Sequence, residues 1–255
     1  MTMLPDSMID QVIEVSRQAG RIIMKYFEEG TSTKIKADGS PVTAADQDAE
    51  KIIIPILRDL TPSIPIVAEE SVATGSLPRT DANTFWLVDP LDGTKEFINR
   101  RTDFTVNIAL IKGGLPVLGV VFTPYDGLLW AGSDTLGAFV EDAGGNREVI
   151  STRKPNTEKL TVVASRSHRS PELEDYIAAL NVGKAISRGS SLKFCLLASG
   201  QADIYPRLGP TMEWDTAAGH AVLLAAGGRI TNFDGTPFEY GKAEYRNGWF
   251  IAYGH

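Results

Sequence analysis

The 255-residue chain has one cysteine, three histidines and no dense block of Lys or Arg. A lone Cys195 cannot close an internal disulfide, and its place in the apolar run Phe194 to Ala198 predicts a small buried hydrophobe. The first seven residues lack the basic and apolar regions of a secretory signal, so a reducing, cytoplasmic setting is expected. Long hydrophobic runs are missing too. Ile52 to Leu57 is interrupted by Pro55, far short of the roughly 20 residues of a membrane span, so only peripheral contact with an inner membrane stays open. With so few histidines, a metal site here would have to be built from oxygen, which selects hard cations. The formal net charge of −7 and the missing basic block exclude a nucleic acid polymer as partner.

What is present is ample core material, 43% hydrophobic residues, in two textures. Ile9, Val12, Ile13, Ala19, Ile22, Ile23 and Tyr26 recur at helical spacing and predict a helix over residues 7–27. A short strand at 34–36 and an Asp38-Gly39 turn follow. Thr43 with Asp46 three residues on reads as a capping pair that starts a second helix, 44–60, with Pro55 kinking it or sitting where its missing N–H is not needed. Strand-like segments at 64–67, 85–88, 105–111, 117–123 and 128–132, joined by Gly-containing turns, predict an antiparallel meander. After a polar stretch from Glu141 to Asn156 the pattern alternates: strands at 160–164, 184–187, 202–205 and 229–232, helices at 171–180, 191–199 and 215–226. The expected fold class is therefore mixed α+β and α/β, with an α+β half over residues 1–150 and an α/β half over 151–255. No internal repeat or low-complexity tract is visible.

The chemistry concentrates in Trp86-Leu87-Val88-Asp89-Pro90-Leu91-Asp92-Gly93-Thr94-Lys95-Glu96-Phe97, where an apolar strand runs into two carboxylates and a Gly-Thr turn. Asp89, Asp92 and the Leu91 carbonyl can each offer oxygen to Mg²⁺, while Gly93 and Thr94 can aim N–H groups at phosphate. Taken alone, Asp-Pro-Leu-Asp-Gly is an ordinary turn sequence. Its companions Glu69-Glu70-Ser71 upstream and Trp214-Asp215-Thr216 downstream change that reading.

With these three pieces in order the chain resembles the inositol monophosphatase superfamily, the lithium-sensitive, magnesium-dependent phosphatases. Lys95-Glu96-Phe97, Gly189-Ser190-Ser191-Leu192-Lys193 and Tyr205-Pro206-Arg207 most resemble its bacterial CysQ branch, the 3'(2'),5'-bisphosphate nucleotidases. The resemblance implies a layered αβαβα sandwich with the site between the halves. It implies Glu69, Asp89, Leu91, Asp92 and Asp215 as ligands of two or three Mg²⁺ ions, roughly 3.5–4 Å apart as in other two-metal sites. Thr94 and Asp46 are assigned as the pair orienting a water, with Glu69 as a second proton acceptor.

For the rest of the substrate the candidates are Ser165, His168, Gly189, Ser190, Ser191, Lys193, Arg207 and Glu213, together with Leu91, Asp92, Gly93, Thr94 and Asp215 around the phosphate. A second phosphate favours a cation such as Arg207, and Glu213 suits sugar hydroxyls. The implied reaction is hydrolysis of adenosine 3',5'-bisphosphate to AMP and phosphate, clearing a by-product of sulfate assimilation. Inositol 1-phosphate or another sugar phosphate is the alternative substrate, and a non-catalytic metal- or nucleotide-binding sensor the alternative class. The expected partners are a small phosphate ester and, in a homodimer, a second copy of the chain.

Overall fold

A computed structural model describes residues 6–36, 39, 41–75, 83–165 and 170–255. The first helix, α1 (Asp6–Glu29), and the short hairpin of β1 (Thr33–Ile35) and β2 (Pro41–Thr43) lead into α2 (Ala44–Leu60), which runs on through Pro55. Then come β3 (Ile66–Ala68), α3 (Glu69–Ala73), β4 (Thr84–Asp92), α4 (Thr94–Ile98) and four strands, β5 (Thr105–Lys112), β6 (Leu115–Phe122), β7 (Leu129–Ser133) and β8 (Gly137–Glu141). With β9 (Arg147–Ile150) they form a seven-stranded sheet in chain order, antiparallel except where β3 pairs with β4.

The second sheet starts with β10 (Leu160–Ser165), α5 (Pro171–Ala178), β11 (Val182–Arg188), α6 (Leu192–Ala198) and β12 (Ile204–Arg207). Beyond β13 (Thr211–Met212), the helix α7 (Trp214–Ala225) precedes β14 (Arg229–Asn232), β15 (Arg246–Asn247) and β16 (Phe250–Tyr253). The sheet order is β11-β10-β12-β16-β14, parallel across β11, β10 and β12 and antiparallel at β16.

Strand alternation explains the layering. On β4, Trp86 and Val88 join the core shared with α1 and α2, while Phe85 and Leu87 join the core shared with α6 and α7. On β16, Phe250 and Ala252 face that same middle core, and Ile251 turns to a third cluster under α5. Three cores between five layers make the expected αβαβα sandwich. Trp86 is fully buried and its indole N–H donates to Thr61 Oγ1 at 2.8 Å, so Trp86→Ala should cost about 3–5 kcal/mol. α7 lies close on β6 at Gly119, where an added Cβ would stand 2.5 Å from the Ala218 carbonyl oxygen. Among the described residues no helix is long and apolar enough to cross a membrane.

Candidate active site

β4 is longer than the pattern 85–88 suggested and carries the acidic motif inside the sheet. Asp89 pairs with Asn107 of β5, but Asp92 pairs with Thr105, so β4 holds one extra residue at the Pro90-Leu91 step. This bulge re-phases the strand and brings to one face two carboxylates that simple alternation would send to opposite faces. Asp89 accepts the Leu91 N–H at 3.0 Å. Asp92 Oδ2 accepts the Ser191 N–H at 2.7 Å and lies 3.3 Å from the Asn107 amide nitrogen, and the Ser191 hydroxyl donates to the Asp215 carbonyl at 2.8 Å. Asp215 Oδ2 is held by the Met212 N–H at 2.8 Å. Residues from both sheets thus meet at one point.

Glu69 starts α3, which is pinned by Glu50: its carboxylate takes the Glu70 N–H at 2.9 Å and the Ser71 hydroxyl at 2.6 Å. Lys36 Nζ sits between Glu69 Oε1 at 2.6 Å and Glu70 Oε1 at 2.5 Å. Burial pulls the Lys36 ammonium down, but the Glu69 and Glu70 carboxylates outweigh it and hold the group above its ordinary value. Burial raises Asp89 and Asp215 well above the usual carboxylate range, and their acidic neighbours raise them further: Glu69, Asp92 and Asp215 act on Asp89, and Asp92 and Glu69 on Asp215. Burial also raises Glu69 against the pull of Lys36, and Asp92 against that of Lys193. Four mutually repelling oxygen-donor groups, with one tethered ammonium among them, make a donor set that fits a hard divalent cation. Among the described residues, no three such side chains close into a compact metal cluster by themselves.

Thr94, at the first position of α4, donates its hydroxyl to Asp46 Oδ1 at 2.9 Å, closer than the Leu91 carbonyl at 3.2 Å. Asp46 Oδ2 is occupied by the Thr43 N–H at 2.8 Å and the Thr43 hydroxyl at 2.7 Å, completing the capping box that the sequence predicted. Burial raises the Asp46 carboxyl, and the Thr43 and Thr94 donors oppose that rise. With its proton committed to Asp46, the Thr94 oxygen is left as an acceptor.

A cavity of about 640 Å³ opens over this floor, lined by Glu69, Asp92, Gly93, Thr94 and Asp215 and by Ser165, Gly189, Ser190, Lys193 and Arg207. Lys193 is 5% exposed, its Nζ donates to the Ser190 carbonyl and lies 5.3 Å from the Tyr205 ring centre, and burial lowers it to about 8 against the opposing pull of Asp92. Arg207 is 7% exposed; one Nη donates to the Pro210 carbonyl at 2.9 Å, while its Nε and the Ser190 hydroxyl are buried with no hydrogen-bond partner among the described residues. Leu91 and Ser191 are buried beside the cavity, Ser191 as the tie between Asp92 and Asp215.

Glu213 is fully buried, and its two carboxylate oxygens take the Gly241 and Lys242 backbone N–H groups, both at 2.9 Å. His168, like the Asp38 of the expected turn, lies outside the described residues. Sequence reasoning missed Lys36, Glu50 and Asn107. The signal for Asn107 is a polar residue midway along an apolar strand; for Glu50 it is an acid four residues after Asp46 on the buried stripe of α2.

The inositol monophosphatase family model matches residues 4–248. The chain belongs to that family. The 3'(2'),5'-bisphosphate nucleotidase CysQ of Escherichia coli (strain K12) is 46% identical over 240 residues, covering 93% of this chain and 95% of that one. Among solved structures, CysQ from Bacteroides thetaiotaomicron, a bacterial member of the family, superposes with a TM-score of 0.83 at 38% identity, covering 99% and 98% of the two chains. An inositol monophosphatase from Zymomonas mobilis superposes with a TM-score of 0.79 at 29% identity, over 99% and 94%. The family resemblance and the sandwich expected from the sequence both hold.

Proposed function

We propose that the chain is a magnesium-dependent phosphatase that hydrolyses adenosine 3',5'-bisphosphate to AMP and phosphate; its CysQ relatives are named 3'(2'),5'-bisphosphate nucleotidases. One observation carries the substrate reading: one cavity is lined by carboxylates, by Thr94 with its bond to Asp46, and by the buried cations Lys193 and Arg207. Residues 1–150 supply Glu69, Asp89, the Leu91 carbonyl and Asp92 as cation ligands; residues 151–255 supply Asp215 and the substrate wall. Magnesium held there would neutralise the phosphate oxygens and lower the pKa of a bound water. Thr94, whose hydroxyl proton is donated to Asp46, would accept a hydrogen from an attacking water, with Glu69 as the second acceptor. Gly93 and Thr94 offer backbone N–H groups to the phosphate.

Lys193 and Arg207 neutralise the phosphate that is not cleaved, a task an inositol ring does not require. Glu213, the carboxylate best suited to ring hydroxyls, is engaged by the 241–242 backbone, which weighs against inositol 1-phosphate. Parallel assays of phosphate release from the two substrates, with and without chelator, test this. The expected result is faster turnover of the bisphosphate and loss of both activities on chelation. Faster turnover of inositol 1-phosphate would overturn the substrate, and no release from either with Mg²⁺ present would favour a sensor.

A further inference from the structure

Asp103 is a buried carboxylate, 6% exposed, in the loop between α4 and β5, outside the cation-facing set. Its Oδ2 accepts the Gly189 backbone N–H at 3.0 Å, its Oδ1 lies 3.7 Å from Arg188 Nη1, and it is within electrostatic reach of Lys193. Its main chain is in contact with both walls of the cavity. An added Cβ on Gly93, where φ is +94°, or on Gly189 would stand 2.9 Å from the same Asp103 carbonyl oxygen. The next residue, Phe104, is fully buried, with its ring centre 5.4 Å from Phe97 and 5.3 Å from Phe27. Asp103 is thereby anchored in the N-terminal core while holding a turn that belongs to the other sheet.

That turn is strained. Ser190 has a φ of +45°, uncommon for a residue with a side chain, and its hydroxyl lacks a partner among the described residues. Its two neighbours are pinned by carboxylates: the Gly189 N–H by Asp103 and the Ser191 N–H by Asp92. Such a conformation persists only where its surroundings over-determine it.

We propose that Asp103 is a positioning residue that keeps the Gly189-Ser190-Ser191 turn in register with the Gly93-Thr94 turn, and so sets how well the nucleoside part of the substrate is gripped. The proposal rests on the nucleotidase reading. The Asp103 carboxylate bonds the Gly189 N–H, whereas Ser191 keeps its own bonds to Asp92 and Asp215 and Thr94 keeps Asp46, so losing Asp103 should fall on grip more than on bond breaking.

The test measures KM and kcat for wild type, Asp103→Ala and Asp103→Asn with adenosine 3',5'-bisphosphate and with 4-nitrophenyl phosphate, a small monoester that has no nucleoside. Losing a hydrogen bond to a charged acceptor should raise the bisphosphate KM about 10-fold or more in Asp103→Ala, with kcat within about 3-fold of wild type and the small ester unaffected. Asp103→Asn, whose amide oxygen still accepts the Gly189 N–H, should recover most of that KM. Equal losses on both substrates, or an unchanged bisphosphate KM, would overturn the proposal while the nucleotidase reading stands. A wild type that hydrolyses only the small ester would overturn the nucleotidase reading, and this inference with it.

Discussion

On one wall of the site four carboxylates, Asp89 behind the cavity lining, are crowded onto a bulged strand and two helix starts; burial raises all four, and acidic neighbours raise Glu69, Asp89 and Asp215 further. On the other, a buried lysine, a buried arginine and a strained serine face the same space, and the Arg207 Nε and Ser190 hydroxyl have no partner among the described residues. The first wall is short of positive charge and the second of acceptors. A phosphate ester escorted by a divalent cation meets both needs, and the contrast predicts that substitutions on the first wall act on kcat and those on the second on KM.

The strongest break in this contrast is Asp89→Asn, which should lower kcat by roughly 1,000-fold or more, as expected when a charged metal-facing group is lost. It should not unfold the protein. Asp89 has a folded-state pKa raised above its unfolded value, so its ionisation opposes folding: stability is greatest below the unfolded value near pH 4 and is lost as pH rises through the raised one. The metal-free wild type should therefore melt at a lower temperature at about pH 8 than at about pH 5, and Asp89→Asn should flatten that slope, as scanning calorimetry at several pH values would reveal. Thr94→Val comes next, with kcat down about 100-fold and KM nearly constant, and Thr94→Ser retaining most activity.

On the opposite wall, Arg207→Met should raise the bisphosphate KM about 10- to 30-fold and barely change that of a small monoester. A comparable loss of kcat on both esters would erase the division of labour. The smallest effect sharpens the picture through Lys193. Burial first, and Arg207 beside it, bring this ammonium down to about 8 despite the pull of Asp92. It is cationic below that value and neutral above it, so the bisphosphate KM should climb a few-fold as pH passes about 8. Lys193→Arg, which keeps its charge, should remove the climb, and a steady-state KM profile from about pH 6.5 to about pH 9.5 is the check.

The first wall was the more legible in the sequence, for physical reasons. The capping box of Thr43 and Asp46 is local chemistry over four residues, so helix 44–60 emerged with its boundaries intact. The Asp-Pro-Leu-Asp-Gly stretch could be recognised, but the bulge that aligns Asp89 with Asp92 depends on pairing with β5 and leaves no periodic trace. Strands β8 and β9 were missed: β8 is only five residues long and ends where the polar stretch begins, and β9 lies within that stretch as an exposed edge with no buried face to generate alternation. Lys36 escaped notice because its role depends on Glu69 and Glu70, more than thirty residues away. The bonds from Gly241 and Lys242 to Glu213 were hidden for a related reason: those donors approach only after the chain has looped back.

The close seat of α7 on Gly119 has a mechanical consequence. Asp215 belongs by chain order to the smaller sheet's half, yet the helix that bears it is bolted to the larger sheet. Asp215 and Asp89 are thus both placed through the larger sheet, so a residue larger than glycine at 119 would push the two carboxylates out of alignment from a distance.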